Sequence, residues 1–317
     1  MKKPKVCVLR TDGTNCDREA AYAFSLVGGD AEIVHINSLK KKYDPVTERK
    51  ISLDDYHILA LPGGFSHGDY IAAGKILAQD LMSHLGKDVE QFIKDGKLII
   101  GICNGFQVLV KSGLLPMLDG NIEETAEVQT TTLTYNDSGR FECRWVRLMR
   151  PKEMNHDEVT DEIWYTPRKN KCIWTKGIDE LYLPVAHGEG KFVASEEVID
   201  RLVARNLIVF QYGGQKGAQR LLPAAEFPEN PNGSMDAIAG ICDETGRIFG
   251  LMPHPERYNH PKNHYLATLQ EVLSRPYVNR SNPDVIERLN IAGTLPKEGQ
   301  GLKIFRNGID YVVKKLI

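Results

Sequence analysis

Lys97-Leu98-Ile99-Ile100-Gly101-Ile102-Cys103-Asn104-Gly105-Phe106-Gln107-Val108-Leu109-Val110-Lys111 is the stretch that decides the fold class. Lys97–Ile102 reads as a short buried strand, and Asn104–Lys111 as a helix that stops at Ser112-Gly113. One residue, Cys103, separates them. The same alternation runs upstream. Lys5–Leu9 reads as a strand, and Asn15–Leu26 as a helix with Ala20, Ala21, Phe24 and Leu26 near its inner face. Ala31–Ile36 and Tyr56–Leu61 are two more strands, the second ending in Pro62-Gly63-Gly64, and Ile76–Leu85 and Val89–Lys94 read as helical segments. Strands alternating with helices predict an α/β fold with a central, mostly parallel sheet covered on both faces. Ligands of such sheets bind beyond the carboxyl ends of the strands, where both Gly63-Gly64 and Cys103 fall.

Downstream the pattern changes. Phe141–Met149, Leu181–Ala186 and Leu207–Tyr212 read as strands joined by long polar connections. Ala237–Cys242 and Arg247–Met252 flank Asp243-Glu244-Thr245-Gly246, which predicts a β-hairpin. Pro151–Lys171 is polar and of mixed charge, so it is expected to be a surface excursion. Residues 1–273 are read as one domain and 274–317 as an extension rich in turn formers. The extension closes with Phe305, Ile309, Val312, Val313 and Leu316 at the spacing of one helix face, expected to dock on its own domain.

The chain of 317 residues is 42% hydrophobic and 26% charged, with a formal net charge of -2. That balance suits an ordinary soluble globular protein and gives no electrostatic footprint for nucleic acid or an anionic membrane. No apolar run reaches the length of a membrane span or a signal peptide, which makes a cytoplasmic location the expectation. The six cysteines show no C-x-x-C pair, so neither a disulfide framework nor a zinc site is suggested. Cys7, Cys143 and Cys242 lie in strand-like runs and read as core residues, and Cys16 and Cys172 also read as structural.

Cys103 is different. Gly101-Ile102-Cys103-Asn104-Gly105 is a G-x-nucleophile-x-G turn between a strand and a helix. Small flanking residues let the chain reverse sharply, and the helix N-terminus favours the nucleophilic thiolate. The N–H of Asn104 and that of Gly64 are candidate donors to an oxyanion. Met252-Pro253-His254-Pro255-Glu256-Arg257 supplies the rest. Prolines bias the preceding residues toward extended geometry, and residues two apart in an extended chain share a side. His254 and Glu256 should therefore lie together, a base with the carboxylate that orients it. They lack the further clustered ligands of a catalytic metal.

Cys103-x-Gly105-x-Gln107 with His254-Pro255-Glu256 resembles the class I, triad-type glutamine amidotransferases. Pro62-Gly63-Gly64-Phe65-Ser66-His67-Gly68-Asp69-Tyr70, Pro184-Val185-Ala186-His187-Gly188-Glu189-Gly190 and Asn230-Pro231-Asn232-Gly233-Ser234 narrow the resemblance to the glutaminase subunits of phosphoribosylformylglycinamidine synthases. It spans about Lys5 to Leu273. It implies a flavodoxin-like amidotransferase fold, L-glutamine as substrate, and a Cys103–His254–Glu256 triad acting through a thioester. Gln107, His187, Gly188 and Glu189 would line the glutamine pocket. No cofactor is implied for this chain. Ammonia would pass to a synthetase subunit that uses ATP and magnesium to make formylglycinamidine ribonucleotide for purine biosynthesis, with a small accessory subunit bridging the two. An amidotransferase serving another synthetase, or a redox or chaperone-like protein of the same architecture, are the competing readings.

Overall fold

Continuous apolar runs become the middle of the sheet. Val6–Leu9, Ile58–Leu61 and Leu98–Ile102 are buried along their whole lengths in the computed structural model, which describes residues 2–118, 129–157, 162–215, 221–274 and 297–317. Among the described residues, ten strands form the main sheet: β1 (Lys5–Arg10), β2 (Asp30–His35), β3 (Ile58–Leu61), β4 (Leu98–Ile102), β5 (Glu142–Met149), β6 (Glu180–His187), β7 (Ile208–Gln215), β8 (Leu221–Pro223), β9 (Ile238–Cys242) and β10 (Ile248–Leu251). Their order is β6-β5-β7-β9-β10-β4-β3-β1-β2, with β8 on β7. The run β10-β4-β3-β1-β2 is parallel, and its inner strands β4, β3 and β1 are nearly continuous apolar runs, as strands buried on both faces must be, while the edge strand β2 mixes polar and apolar residues and is part-exposed. The other pairings are antiparallel, including the expected β9–β10 hairpin.

Seven helices accompany the described strands: α1 (Asp17–Leu26), α2 (Ile36–Lys41), α3 (Lys75–Lys94), α4 (Asn104–Lys111), α5 (Glu196–Ala204), α6 (Ala267–Ser274) and α7 (Leu302–Lys315). α1 packs on β1 and β2, and α4 on β3, β4 and β10. Two helical segments expected around Gly86 are one continuous helix, α3. Leu77, Leu81, Leu85, Val89 and Phe92 keep one buried stripe through it, and that packing outweighs the weak propensity of a single glycine. On α1 the buried face is Asp17, Ala20, Ala23 and Phe24, whereas Leu26 is exposed. The polar excursion holds a hairpin, Lys152–Asp157 paired with Glu162–Pro167. Cys143, read as a core residue, is exposed. Side chains alternate along β5, so the burial of Glu142, Val146 and Leu148 turns Cys143 to the other face.

α7 is bound to the body of the fold. Phe305 meets Phe24 edge-on with ring centroids 4.8 Å apart. Asn307 Nδ2 donates to the carbonyls of Trp174 and Lys176 at 2.9 and 3.0 Å. Gly308 lies so close to the indole that a Cβ would stand 2.4 Å from Trp174 Cζ3. Ile309 and Val312 are buried as expected, and Val313 is exposed, since it follows Val312 by 100° on the helix. The part of the extension from 275 to 296 lies outside the described residues. Truncating Phe305 to Ala leaves a cavity against Phe24 and should cost about 3–5 kcal/mol. Urea unfolding of the variant reads this directly. A midpoint equal to that of the parent would mean that the helix contributes nothing to stability.

Candidate active site

The parallel register of β4 and β10 sets Ile102 opposite Leu251, so both chains leave the sheet at one level. Cys103 N–H donates to Leu251 O at 2.8 Å across that exit. Cys103 then takes φ 51°, ψ -106° as α4 begins. A non-glycine residue there is strained, on the order of 1–3 kcal/mol, and needs its surroundings to hold it. The glycines on either side are what allow the crowding. A Cβ at Gly101 would lie 2.5 Å from Gly105 O, and one at Gly105 only 1.8 Å from Leu61 O. The Cys103 sulfur lies 3.7 Å from Ala186 O.

His254 leaves β10 in extended conformation, with its N–H on Pro184 O at 2.8 Å. Sequence reasoning expected Glu256 to continue that extended chain. Instead Pro255–Arg257 form a 3-10 turn, with proline at a position where its missing N–H costs nothing. The turn still delivers the pair: His254 Nδ1 and Glu256 Oε1 are 2.6 Å apart and both side chains are buried. Burial alone would disfavour the imidazolium. The Glu256 carboxylate, then Cys103, overcome that penalty and hold the His254 pKa well above the ordinary histidine value. The other ring nitrogen, Nε2, is buried without an aligned hydrogen bond. Gly63 fits between these groups, since a Cβ there would stand 2.7 Å from His254 Cε1 and 3.4 Å from Cys103 Cβ. The next residue, Gly64, has φ 147°, and a Cβ on it would meet Asn15 N at 2.5 Å.

The remaining expected residues form a polar wall. Asn104 Nδ2 donates to Gln107 Oε1 at 2.9 Å and to Asp69 Oδ1 at 3.0 Å. Gln107 Nε2 donates to Glu189 O, and the Glu189 carboxylate accepts from Ala73 N–H at 3.1 Å. Lys111 Nζ lies 3.7 Å from that carboxylate and donates to Ala73 O at 2.6 Å. His187 turns its ring inward. Its Nδ1 meets Asn136 Oδ1 at 3.1 Å and its Nε2 lies 3.5 Å from Asn232 Nδ2. Asn232 Nδ2 also donates to Gly190 O at 2.8 Å and to Tyr212 Oη at 3.1 Å. Burial, with the nearby His254 charge added, lowers the His187 pKa to about 3. His187 is thereby kept toward its neutral form, and Asn136 Oδ1, which meets both its ring and Gly190 N–H, ties it to the Gly188–Gly190 loop.

Sequence reasoning missed Cys16, Asn136 and Tyr212. Cys16 Sγ, His254 Nδ1 and Glu256 Oε1 all lie within 4.8 Å of one another. The Arg257 guanidinium donates to that sulfur at 3.1 Å, which opposes a cation at the cluster. Only the Thr14-Asn15-Cys16-Asp17 string, adjacent to the first strand end, could have signalled it. Among the described residues no helix is long and apolar enough to cross a membrane.

A family model for the CobB/CobQ-like glutamine amidotransferase domain matches residues 3–312, so the match reaches into α7. The chain is 43% identical over 314 residues to the phosphoribosylformylglycinamidine synthase subunit PurQ of Dehalococcoides mccartyi, covering 98% of each chain. It is 38% identical over 315 residues to the subunit of that name in Methanococcus maripaludis, again covering 98% of both. The solved structure of PurLQS from Thermotoga maritima is similar at a TM-score of 0.57 and 28% identity, with 98% of this chain and 100% of that chain covered.

The low pKa of His187 makes a prediction about stability. The unfolded chain binds a proton at His187 below about pH 6.5 and the folded chain does not, so stability falls as the pH drops from there toward 3. Between pH 6.5 and 5 this group should cost about 2 kcal/mol. His187→Gln cannot titrate, and its urea stability should fall less over that interval. Equal falls in the two proteins would mean that His187 is charged in the folded state.

Proposed function

Because this chain belongs to the CobB/CobQ-like glutamine amidotransferases, and within them to the glutaminase subunits of phosphoribosylformylglycinamidine synthase, we propose that Cys103, His254 and Glu256 hydrolyse the side-chain amide of L-glutamine. The observation that carries this reading is the strained Cys103 turn beside a buried imidazole–carboxylate pair 2.6 Å apart. The glutaminase identity sets the reaction, and the geometry distributes its steps. Cys103 Sγ attacks the amide carbon with its proton already resting on His254 Nε2, while Glu256 keeps Nδ1–H in place. The N–H groups of Gly64 and Asn104 receive the oxyanion. Asn104 opens α4, so its N–H has no acceptor within the helix. The carbon–nitrogen bond breaks as His254 returns the proton, releasing ammonia and leaving a thioester on Cys103. Water, deprotonated by His254, then attacks the thioester to give glutamate and the free thiol.

Gln107, Gly188 and Glu189 line the pocket for the glutamine backbone groups, and the inward-turned His187 supports the loop that carries them. The released ammonia passes to a synthetase subunit, where ATP and magnesium drive amidine formation on formylglycinamide ribonucleotide, with a small accessory subunit completing the assembly in the cytoplasm. Full-length coverage of relatives named as PurQ subunits, and similarity to a structure named as PurLQS, support that partner. Residues 1–273 form the amidotransferase domain, and 274–317 are an extension whose described part, 297–317, braces it.

Cys103→Ala should abolish glutamine-dependent synthesis while the assembled enzyme still accepts added ammonia. His254→Ala should lose about 10²–10⁴-fold in turnover, and Glu256→Gln less, because the imidazole stays in place. Steady-state assays with glutamine and with ammonium salt separate these effects. Glutamine hydrolysis surviving in Cys103→Ala would refute the assignment.

A further inference from the structure

Cys16 has no part in the chemistry above, yet it shares a buried cluster with His254 and Glu256. It is buried just before α1, and its N–H donates to Gly63 O at 3.0 Å. Its sulfur would stand 3.3 Å from a Gly63 Cβ, which ties it to the loop beside Cys103. The same sulfur is 3.9 Å from His254 Nδ1 and accepts from Arg257 Nη2 at 3.1 Å. His254 Nδ1 carries one hydrogen, and Glu256 Oε1 takes it at 2.6 Å. Cys16 is therefore a neighbour of that bond and not its acceptor.

Arg257 follows Glu256 directly, and its charge would be drawn to that carboxylate. Glu256 Oε2 is buried with no hydrogen-bond partner in the structure, so it is open to a donor. A guanidinium swung onto it could bind both oxygens as a fork, stronger than the single bond to an imidazole. The structure shows the guanidinium held elsewhere, with Nη2 on Cys16 Sγ and Nε 3.8 Å from Glu19 Oε1. A thiol suits this place because it is polarisable and carries no full charge to compete for His254, while the Glu19 carboxylate on the other side of the guanidinium adds to its hold.

We propose that Cys16 is a positioning residue for glutamine hydrolysis: its sulfur anchors the Arg257 guanidinium away from Glu256, which leaves that carboxylate to His254. The inference rests on the triad reading, and its test keeps the two apart. In the assembled enzyme, Cys16→Val should lower kcat for glutamine about tenfold or more, with KM changed less than about threefold. The limb of the pH profile governed by His254 should move toward the ordinary histidine value, because the imidazolium loses its carboxylate. Cys16→Ser keeps an acceptor and should keep the wild-type profile. Cys16→Val combined with Arg257→Met removes the competing cation and should recover the profile, a coupling that simple packing would not produce. Should Cys16→Val not fold, Cys16→Ala with and without Arg257→Met makes the same comparison. An unmoved profile in the single variant, or a double variant as impaired as the single, would overturn the inference. Glu256→Gln is the control: if its profile also matches wild type, the triad reading fails, and if it shifts while Cys16→Val does not, only the role of Cys16 falls.

Discussion

The contact between Gly105 and the carbonyl of Leu61 governs the rest of the site. With no room for a single methyl group between them, α4 sits directly on the carboxyl end of β3, and the loop Pro62–Gly64 is forced up beside Cys103. That closeness brings three strand ends together. β4 supplies the cysteine, β3 the glycine loop, and β10 the histidine, each from the same edge of the parallel half. Parallel pairing places all their carboxyl ends on one side, so residues far apart in sequence arrive at one point without any long excursion of the chain. The strain at Cys103 follows from the same crowding and is offset by the surrounding core.

Two buried histidines in one region are driven in opposite directions by different neighbours. His254 meets a carboxylate that outweighs the cost of its burial and is held toward its charged form, whereas His187, bonded to amides alone, is held neutral by burial and by the His254 charge. The amide network of Asn136 and Asn232 suits that division. Asn136 Oδ1 bonds the His187 ring without offering it a charge, so no second cation weakens the pairing of His254 with Glu256. Buried polar groups of this kind are costly unless bonded, and the Asn230–Ser234 turn meets that demand partly within itself and partly through Gly190, Phe192 and Tyr212.

The parallel half of the fold was legible because each element carried its own local signal. Short apolar runs marked β1, β3 and β4, and Gly101, Gly105 and Ser112-Gly113 marked the turn and the end of α4. The Cys103 and His254 assignments came from motifs whose residues sit within a few positions of one another. What escaped was long-range. Cys16 has an ordinary local context, and its meaning arises only from contact with His254 and Arg257, some 240 residues away. Tyr212 and Asn136 belong to a network joined across β7, the Asn230–Ser234 turn and the His187 loop, and no periodicity reports such a junction. Local geometry also misled in one place. His254 and Glu256 were expected to meet as alternate residues of a strand, but a proline-initiated turn brings them together. The right pair followed from a wrong conformation: the turn does not continue the strand, yet it brings the two side chains within hydrogen-bond reach.

The packing of Phe305 on Phe24 has a consequence for synthesis on the ribosome. The chain emerges from its amino end, so β1 and α1 leave the exit tunnel long before α7 exists. Until then the face of Phe24 and the Trp174 indole lack their cover, and the nascent domain carries exposed aromatic surface. Contacts between such distant segments form slowly, and surface of this kind invites association with other chains. Closure of this part of the core is thereby tied to translation of α7, long after Phe24 itself has been made.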